Sequence, residues 1–175
     1  MTNSTPDATG FEFWQRQIDR LGDRDPLEVL ASTPDALHSV VTSRSADRFA
    51  VRPFPGKWSP AEVMGHLVDI EFVFGYRVRT MLADADPAFG GIDQDRWVEE
   101  QGWHAVPPDV IAARFASVRG VNLSWWKAIP ADAMTRTGRH SEADVELTLG
   151  HLLHILAGHD LVHLDQLLAF LDAAG

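Results

Sequence analysis

Cysteine is absent from the 175-residue chain. Its absence excludes disulfide staples, thiolate metal sites and a protein-borne thiol nucleophile, so any reacting thiol must arrive with a small molecule. Positive charge is scarce as well. Fifteen Lys and Arg stand against 25 Asp and Glu, a formal net charge of -10 with no long basic run. The phosphate-neutralising surface of a nucleic-acid binder is missing, and no nucleic-acid partner is expected. No uninterrupted apolar stretch approaches the roughly 20 residues that cross a bilayer, so no membrane partner is expected either. Residues 1–10 are polar, beginning Thr2-Asn3-Ser4-Thr5-Pro6, and lack the basic and apolar regions of a secretory signal. They read as a flexible leader, and the expected location is cytoplasmic.

What remains is a chain 45% hydrophobic, enough for one core, and residues 11–175 are expected to form a single domain. Start signals and apolar spacing mark four long helices. The first is expected to open at Thr33-Pro34, a capping residue followed by proline, and to run toward Phe49, with a shorter helix around Phe11 to Leu21 before it. The second is the best marked: Ser59-Pro60-Ala61-Glu62 supplies the N-cap serine, the N1 proline and the N3 glutamate of a capping box. Val63, Leu67, Ile70, Phe74, Val78 and Met81 follow at steps of three and four, one apolar stripe. Pro107-Pro108-Asp109 opens the third helix, which Pro130 ends. Thr148 is the expected cap of the fourth, whose stripe from Leu149 to Leu171 has Asp160 as its only charged member. Few segments alternate as strands do, and the class read from the pattern is all-α. The segment from Ala83 to Val106 is too long for a tight bundle turn, and Trp97, Trp103 and His104 within it are candidates to wall a pocket.

Five of the eight histidines fall between His140 and the carboxyl terminus. On a helix, His159 and His163 lie four residues and about 40° apart, close enough to meet one ion, whereas His151 and His154 fall toward the opposite shoulder. Such a pair is a partial site, since a zinc-like ion needs at least three protein ligands to be held firmly. His66, on the shoulder of the second stripe, is the best third candidate. The bland reading stands beside this one: a single shoulder histidine is more often hydrogen-bonded or at the surface than a ligand. The run His159-Asp160-Leu161-Val162-His163 invites comparison with zinc peptidase helices, but aspartate is a methylene shorter than their general base and little chain follows. Asp69, Glu71, Asp160 and Asp165 are the nearest acids, each more naturally a supporting group than a base. Gln166 is placed to orient a ligand or a water.

These residues carry a resemblance. Lys57-Trp58-Ser59-Pro60-Ala61-Glu62-Val63 with Gly65-His66-Leu67, and His159-Asp160-Leu161-Val162-His163 with Leu164-Asp165-Gln166, resemble the DinB superfamily of DinB/YfiT-like proteins, distinct from the translesion polymerase that shares the name. Weaker similarity at Asp95-Arg96-Trp97 and Thr137-Gly138-Arg139-His140 extends it over roughly residues 27 to 172. The resemblance implies an up-and-down four-helix bundle of the DinB/YfiT-like type, with His66, His159 and His163 as the metal ligands. It implies zinc, nickel or iron as the ion. Known chemistries in the family include thiol-dependent S-transferases, a mycothiol-dependent isomerase and suspected hydrolases. The functional expectation is therefore a metal-dependent thiol S-transferase or hydrolase acting on a small-molecule substrate through an open three-histidine site, with a low-molecular-weight thiol as one candidate cosubstrate. The alternative is a non-catalytic metal-binding stress or interaction protein. A homodimer is expected by resemblance only.

Overall fold

The computed structural model describes residues 10–174, so the leader expected at residues 1–10 lies, apart from Gly10, outside the described residues. Six helices are described: α1 Gly10–Leu21, α2 Pro26–Ser43, α3 Pro60–Ala83, α4 Gln94–Glu100, α5 Pro108–Ala128 and α6 Leu149–Ala173. The long helices α2, α3, α5 and α6 form a four-helix bundle. Each of α2 and α3 packs on both α5 and α6, so the order round the bundle is α2, α5, α3, α6, and α1 lies along α6. Among the described residues no helix is long and apolar enough to cross a membrane.

The two best-marked helix starts form as their sequences dictate. Ser59 accepts from the Glu62 N–H while the Glu62 carboxylate accepts from the Ser59 N–H, a reciprocal box that satisfies two otherwise orphaned donors. At Thr148 the same box is closed by His151, whose Nδ1 accepts from the Thr148 N–H at 3.2 Å.

The first long helix differs from expectation. It begins eight residues earlier, at Asp25-Pro26, where Asp25 accepts from the Leu27 and Glu28 N–H groups, and it ends at Ser43, with Phe49 in a separate 3₁₀ turn. Pro34 lies inside it. Proline there has no N–H for the Leu30 carbonyl four residues back, which ordinarily costs a helix about 3 kcal/mol. The vacated carbonyl is taken instead by Arg119 of α5, whose Nη1 donates to it at 2.9 Å. Thr33, free of any capping duty, donates to the Asp160 carboxylate at 2.7 Å.

Three short strands were not read from the sequence: β1 Ala88–Phe89, β2 Thr137–His140 and β3 Val145–Thr148, in the order β1-β2-β3, parallel then antiparallel. At two to four residues each they are too short for alternation to register. They hold the hairpin at 141–144, and with it His140 and Glu142, beside α3.

The apolar interior forms two clusters. One gathers Val29 and Leu30, the second half of α3 and the first half of α6; the other gathers Leu37, the first half of α3, Ile111 and Phe115, and the end of α6. From this, α3 and α5 run one way and α2 and α6 the other, and the segment between α3 and α5 crosses back along the bundle. Glu71, Arg119 and Asp160, all buried, lie between the two clusters, whereas Glu62 sits in the first turn of α3 and Arg77 against Phe74 and Phe89.

One close crossing yields a stability prediction. A Cβ built on Gly158 of α6 would lie 1.8 Å from the Gln17 carbonyl oxygen of α1. Gly158→Ala therefore has to push the two backbones apart. The expected net loss is about 1–3 kcal/mol, opposing the roughly 1 kcal/mol that alanine ordinarily contributes inside a helix. Denaturant titration checks it, and an unchanged or raised midpoint would show that α1 does not pack closely at Gly158.

Candidate metal centre

His66 on α3 and His159 and His163 on α6 converge, with one nitrogen of each lying within 4.8 Å of the others. The Nε2 atoms of His66 and His159 are 3.1 Å apart, and the ring centroids of the three pairs are separated by 4.2 to 5.1 Å. His66 and His159 are buried, and the Nδ1 atom of each has no hydrogen-bond partner. His163 Nδ1 lies 2.7 Å from Gln166 Oε1. An amide oxygen only accepts, so Nδ1 carries the proton and Nε2 keeps its lone pair. Trp58 closes one side, its ring 4.8 Å from that of His66.

Burial is the main force on the ionisation of all three rings. It holds His66 and His159 well below the usual imidazole range, reinforced by neighbouring histidines, and brings His163 down to about 4. At neutral pH the cluster is three uncharged imidazoles. Two nitrogens on one tetrahedral ion, each about 2.0–2.1 Å from it, would stand about 3.3 Å apart, close to the observed His66 to His159 spacing. The donor set fits a zinc-like divalent ion: neutral nitrogens, a fixed tautomer at His163 and, among the described residues, no carboxylate grouped with them.

Lowered histidine pKa values make a pH prediction. The unfolded chain binds protons near pH 6.5 and the folded chain does not, so stability falls as pH drops below about 6.5 and the loss levels off only near the folded values, about 4 for His163. For metal-free protein held in chelator, the slope should reach at least one proton, about 1.4 kcal/mol per pH unit. Urea midpoints at pH 7, 6 and 5 measure it; equal values would contradict buried neutral imidazoles.

His159, His163, Gln166 and Trp58 line a pocket of about 690 Å³. This is within the range of small-molecule sites. His151 and His154 do not share in it: both are exposed, one serving the α6 cap and the other bonding to the Gly150 carbonyl. The loop residues expected to wall the pocket do not. Trp103 is buried over Gly65, its Nε1 donating to Asp69, while Trp97 and His104 are exposed. Its walls come instead from Trp14 on α1, Ile92 and Gln94 from the crossing segment, and His140 and Glu142 at the hairpin. No local signal marked these, since each reaches the pocket only through packing of distant segments.

The four acids near the ligands are all engaged elsewhere. Asp69 accepts from Trp103 and Gln101, and Asp165 pairs with Arg20. Glu71 and Asp160 flank Arg119, which is 1% exposed and donates to both at 2.6 to 3.0 Å. Asn122 Nδ2 donates to Glu71 as well, at 2.9 Å. Arg119 was missed in the sequence reading, although an aspartate on a leucine stripe signalled that a buried cation had to come from somewhere.

Fold and site together define a helical-bundle protein with three histidines gathered at a pocket. A family model described as the DinB superfamily matches residues 30–167, and the chain belongs to that superfamily. Among solved structures it is similar to YfiT from Bacillus subtilis, described as "a probable metal-dependent hydrolase with an unusual four-helix bundle topology", at 18% identity and a TM-score of 0.72. The match covers 95% of this chain and 91% of that one. Comparison with curated protein sequences gives no match.

Proposed function

We propose that this protein is a metal-dependent enzyme acting on small molecules, with His66, His159 and His163 holding one divalent transition ion, zinc, nickel or iron, and that its reaction is S-transfer from a low-molecular-weight thiol. The observation carrying this reading is the convergence of three neutral imidazoles, two of which, His159 and His163, line a pocket wide enough for a substrate. When bound, such an ion supplies Lewis acidity, lowering the pKa of a thiol or a water in the pocket. Gln166 fixes the His163 tautomer so that its lone pair faces the centre. Trp58 covers the His66 ring and limits access of bulk water from that side.

Thiol transfer is preferred because Asp69, Glu71, Asp160 and Asp165 are all committed to other partners. A nucleophile that ionises near pH 8.5 needs less help from a base than water does. In the transfer the thiol loses its proton to solvent, the S–C bond forms at an electrophilic carbon, and the leaving group departs with the electron pair of the broken bond. Hydrolysis is the second reading, favoured by the description of YfiT.

The test is conjugation of a chloroarene electrophile with several cellular thiols, run beside ester hydrolysis, on metal-loaded protein and after chelation. Thiol-dependent product that disappears with chelator and returns with added ion is expected. Ester cleavage without thiol dependence would favour hydrolysis. Neither activity, with a tightly held and solvent-inaccessible ion, would point to a non-catalytic metal-binding protein.

A further inference from the structure

The same pocket contains a buried cation that nothing in the metal centre uses. Arg77 of α3 lines it and is only 7% exposed, held between the rings of Phe74 and Phe89 at 5.4 and 5.1 Å. Its Nη2 donates to the Gly90 carbonyl at 2.9 Å, and among the described residues no carboxylate lies within ion-pair distance. Contrast Arg119, also buried but clasped by two carboxylates. A guanidinium taken out of water without a counter-charge costs several kcal/mol, so its retention needs a reason. The acid nearest in effect is Glu142, exposed on the hairpin, which acts on Arg77 only through space.

His140 supplies a second donor. It is 6% exposed and lines the same pocket. Its Nδ1 accepts from the Ala143 N–H at 3.3 Å, which assigns the proton of the neutral ring to Nε2. That Nε2 lies 3.5 Å from Arg77 Nη2. Two donors cannot satisfy each other; the Gly90 carbonyl takes one N–H of Arg77, and among the described residues no side-chain acceptor is bonded to either group.

We propose that Arg77 and His140 form the anion-binding subsite of this pocket, and that the molecule accommodated there carries a carboxylate on an apolar or aromatic body. A carboxylate matches the single positive charge of Arg77, and its two oxygens match two donors; a phosphate dianion would leave one charge uncompensated near Glu142. Trp14, Ile70, Phe74 and Ile155 supply the apolar surface for the body. The inference rests on the proposed function only in taking the pocket as the substrate site.

Direct binding tests it without turnover. The probes are 2-naphthylacetate, its neutral isostere 2-naphthylacetamide and 2-naphthyl phosphate, titrated calorimetrically into the full chain. The wild type is expected to bind the carboxylate at least about tenfold more tightly than the amide and more tightly than the phosphate. Arg77→Gln should abolish the preference over the amide while leaving amide affinity and metal content unchanged. Glu142→Gln should strengthen carboxylate binding, and this arm with the wild-type comparison decides the matter if Arg77→Gln does not fold. Equal affinities for acid and amide, tighter binding of the phosphate, binding of no probe to millimolar concentration, or a preference surviving in Arg77→Gln would each overturn the proposal. His159→Ala should keep the preference for the carboxylate, so failure of the metal-dependent reading and failure of this one are told apart.

Discussion

Any one of His66→Ala, His159→Ala and His163→Ala should lower affinity for a divalent ion at least about 100-fold, because two imidazoles cannot hold a zinc-like ion that needs three protein ligands. The three belong to two helices and meet across the bundle with nitrogens within 4.8 Å. His151→Ala and His154→Ala should leave affinity unchanged, since both side chains point to solvent. Gln166→Leu is the intermediate case: it removes the acceptor that orients His163, and an orienting partner of this kind is typically worth 10–100-fold. Metal analysis of dialysed protein, with competition titration against a chromophoric chelator, gives the ordering. Burial already keeps the rings neutral, so proton competition should set in well below pH 6.5 and steepen toward the value near 4 for His163. Retained affinity in His66→Ala together with loss in His151→Ala would refute the assignment.

Arg119→Met is expected to cost about 3–5 kcal/mol of folding stability, the largest effect of any single change away from the histidines. From its place on α5 its guanidinium reaches three other helices: the Leu30 carbonyl of α2, Glu71 of α3 and Asp160 of α6. Methionine fills comparable volume, so the loss is not chiefly a cavity. It is the burial of two carboxylates stripped of their counter-charge, plus a Leu30 carbonyl that Pro34 cannot satisfy. For a chain of this length the melting temperature should fall on the order of 10 °C. Adding Glu71→Gln and Asp160→Asn to Arg119→Met should recover part of the loss by neutralising the stranded charges. A decrease under about 1 kcal/mol for Arg119→Met alone would mean that the network contributes little beyond packing.

The two cores and the layer between them explain why the site was partly readable and partly hidden. The directions of His159 and His163 follow from four residues of helix, and the apolar stripe of α3 already put His66 on its shoulder. The same logic could not name the partners of the acids. Asp69, Glu71, Asp160 and Asp165 lie near the ligands along the chain, but their partners, Trp103, Arg119 and Arg20, come from 34, 48, 41 and 145 residues away. Nothing local to an aspartate tells whether a cation will be delivered to it by another helix.

The start of α2 draws the line most sharply. Asp25-Pro26 and Thr33-Pro34 carry the same local message, a capping side chain followed by proline, and the chain alone offers no way to choose between them. What the sequence by itself determined were features settled within one or two helical turns: the boxed starts of α3 and α6, the apolar stripes, and the i,i+4 histidine pair. Those depend on backbone geometry that every α-helix shares. The tertiary structure decided the rest, because it decides which group from a distant segment fills each vacancy. Arg119 reaching the Leu30 carbonyl is what lets Pro34 sit inside α2, and the hairpin arriving beside α3 is what sets His140 against Arg77.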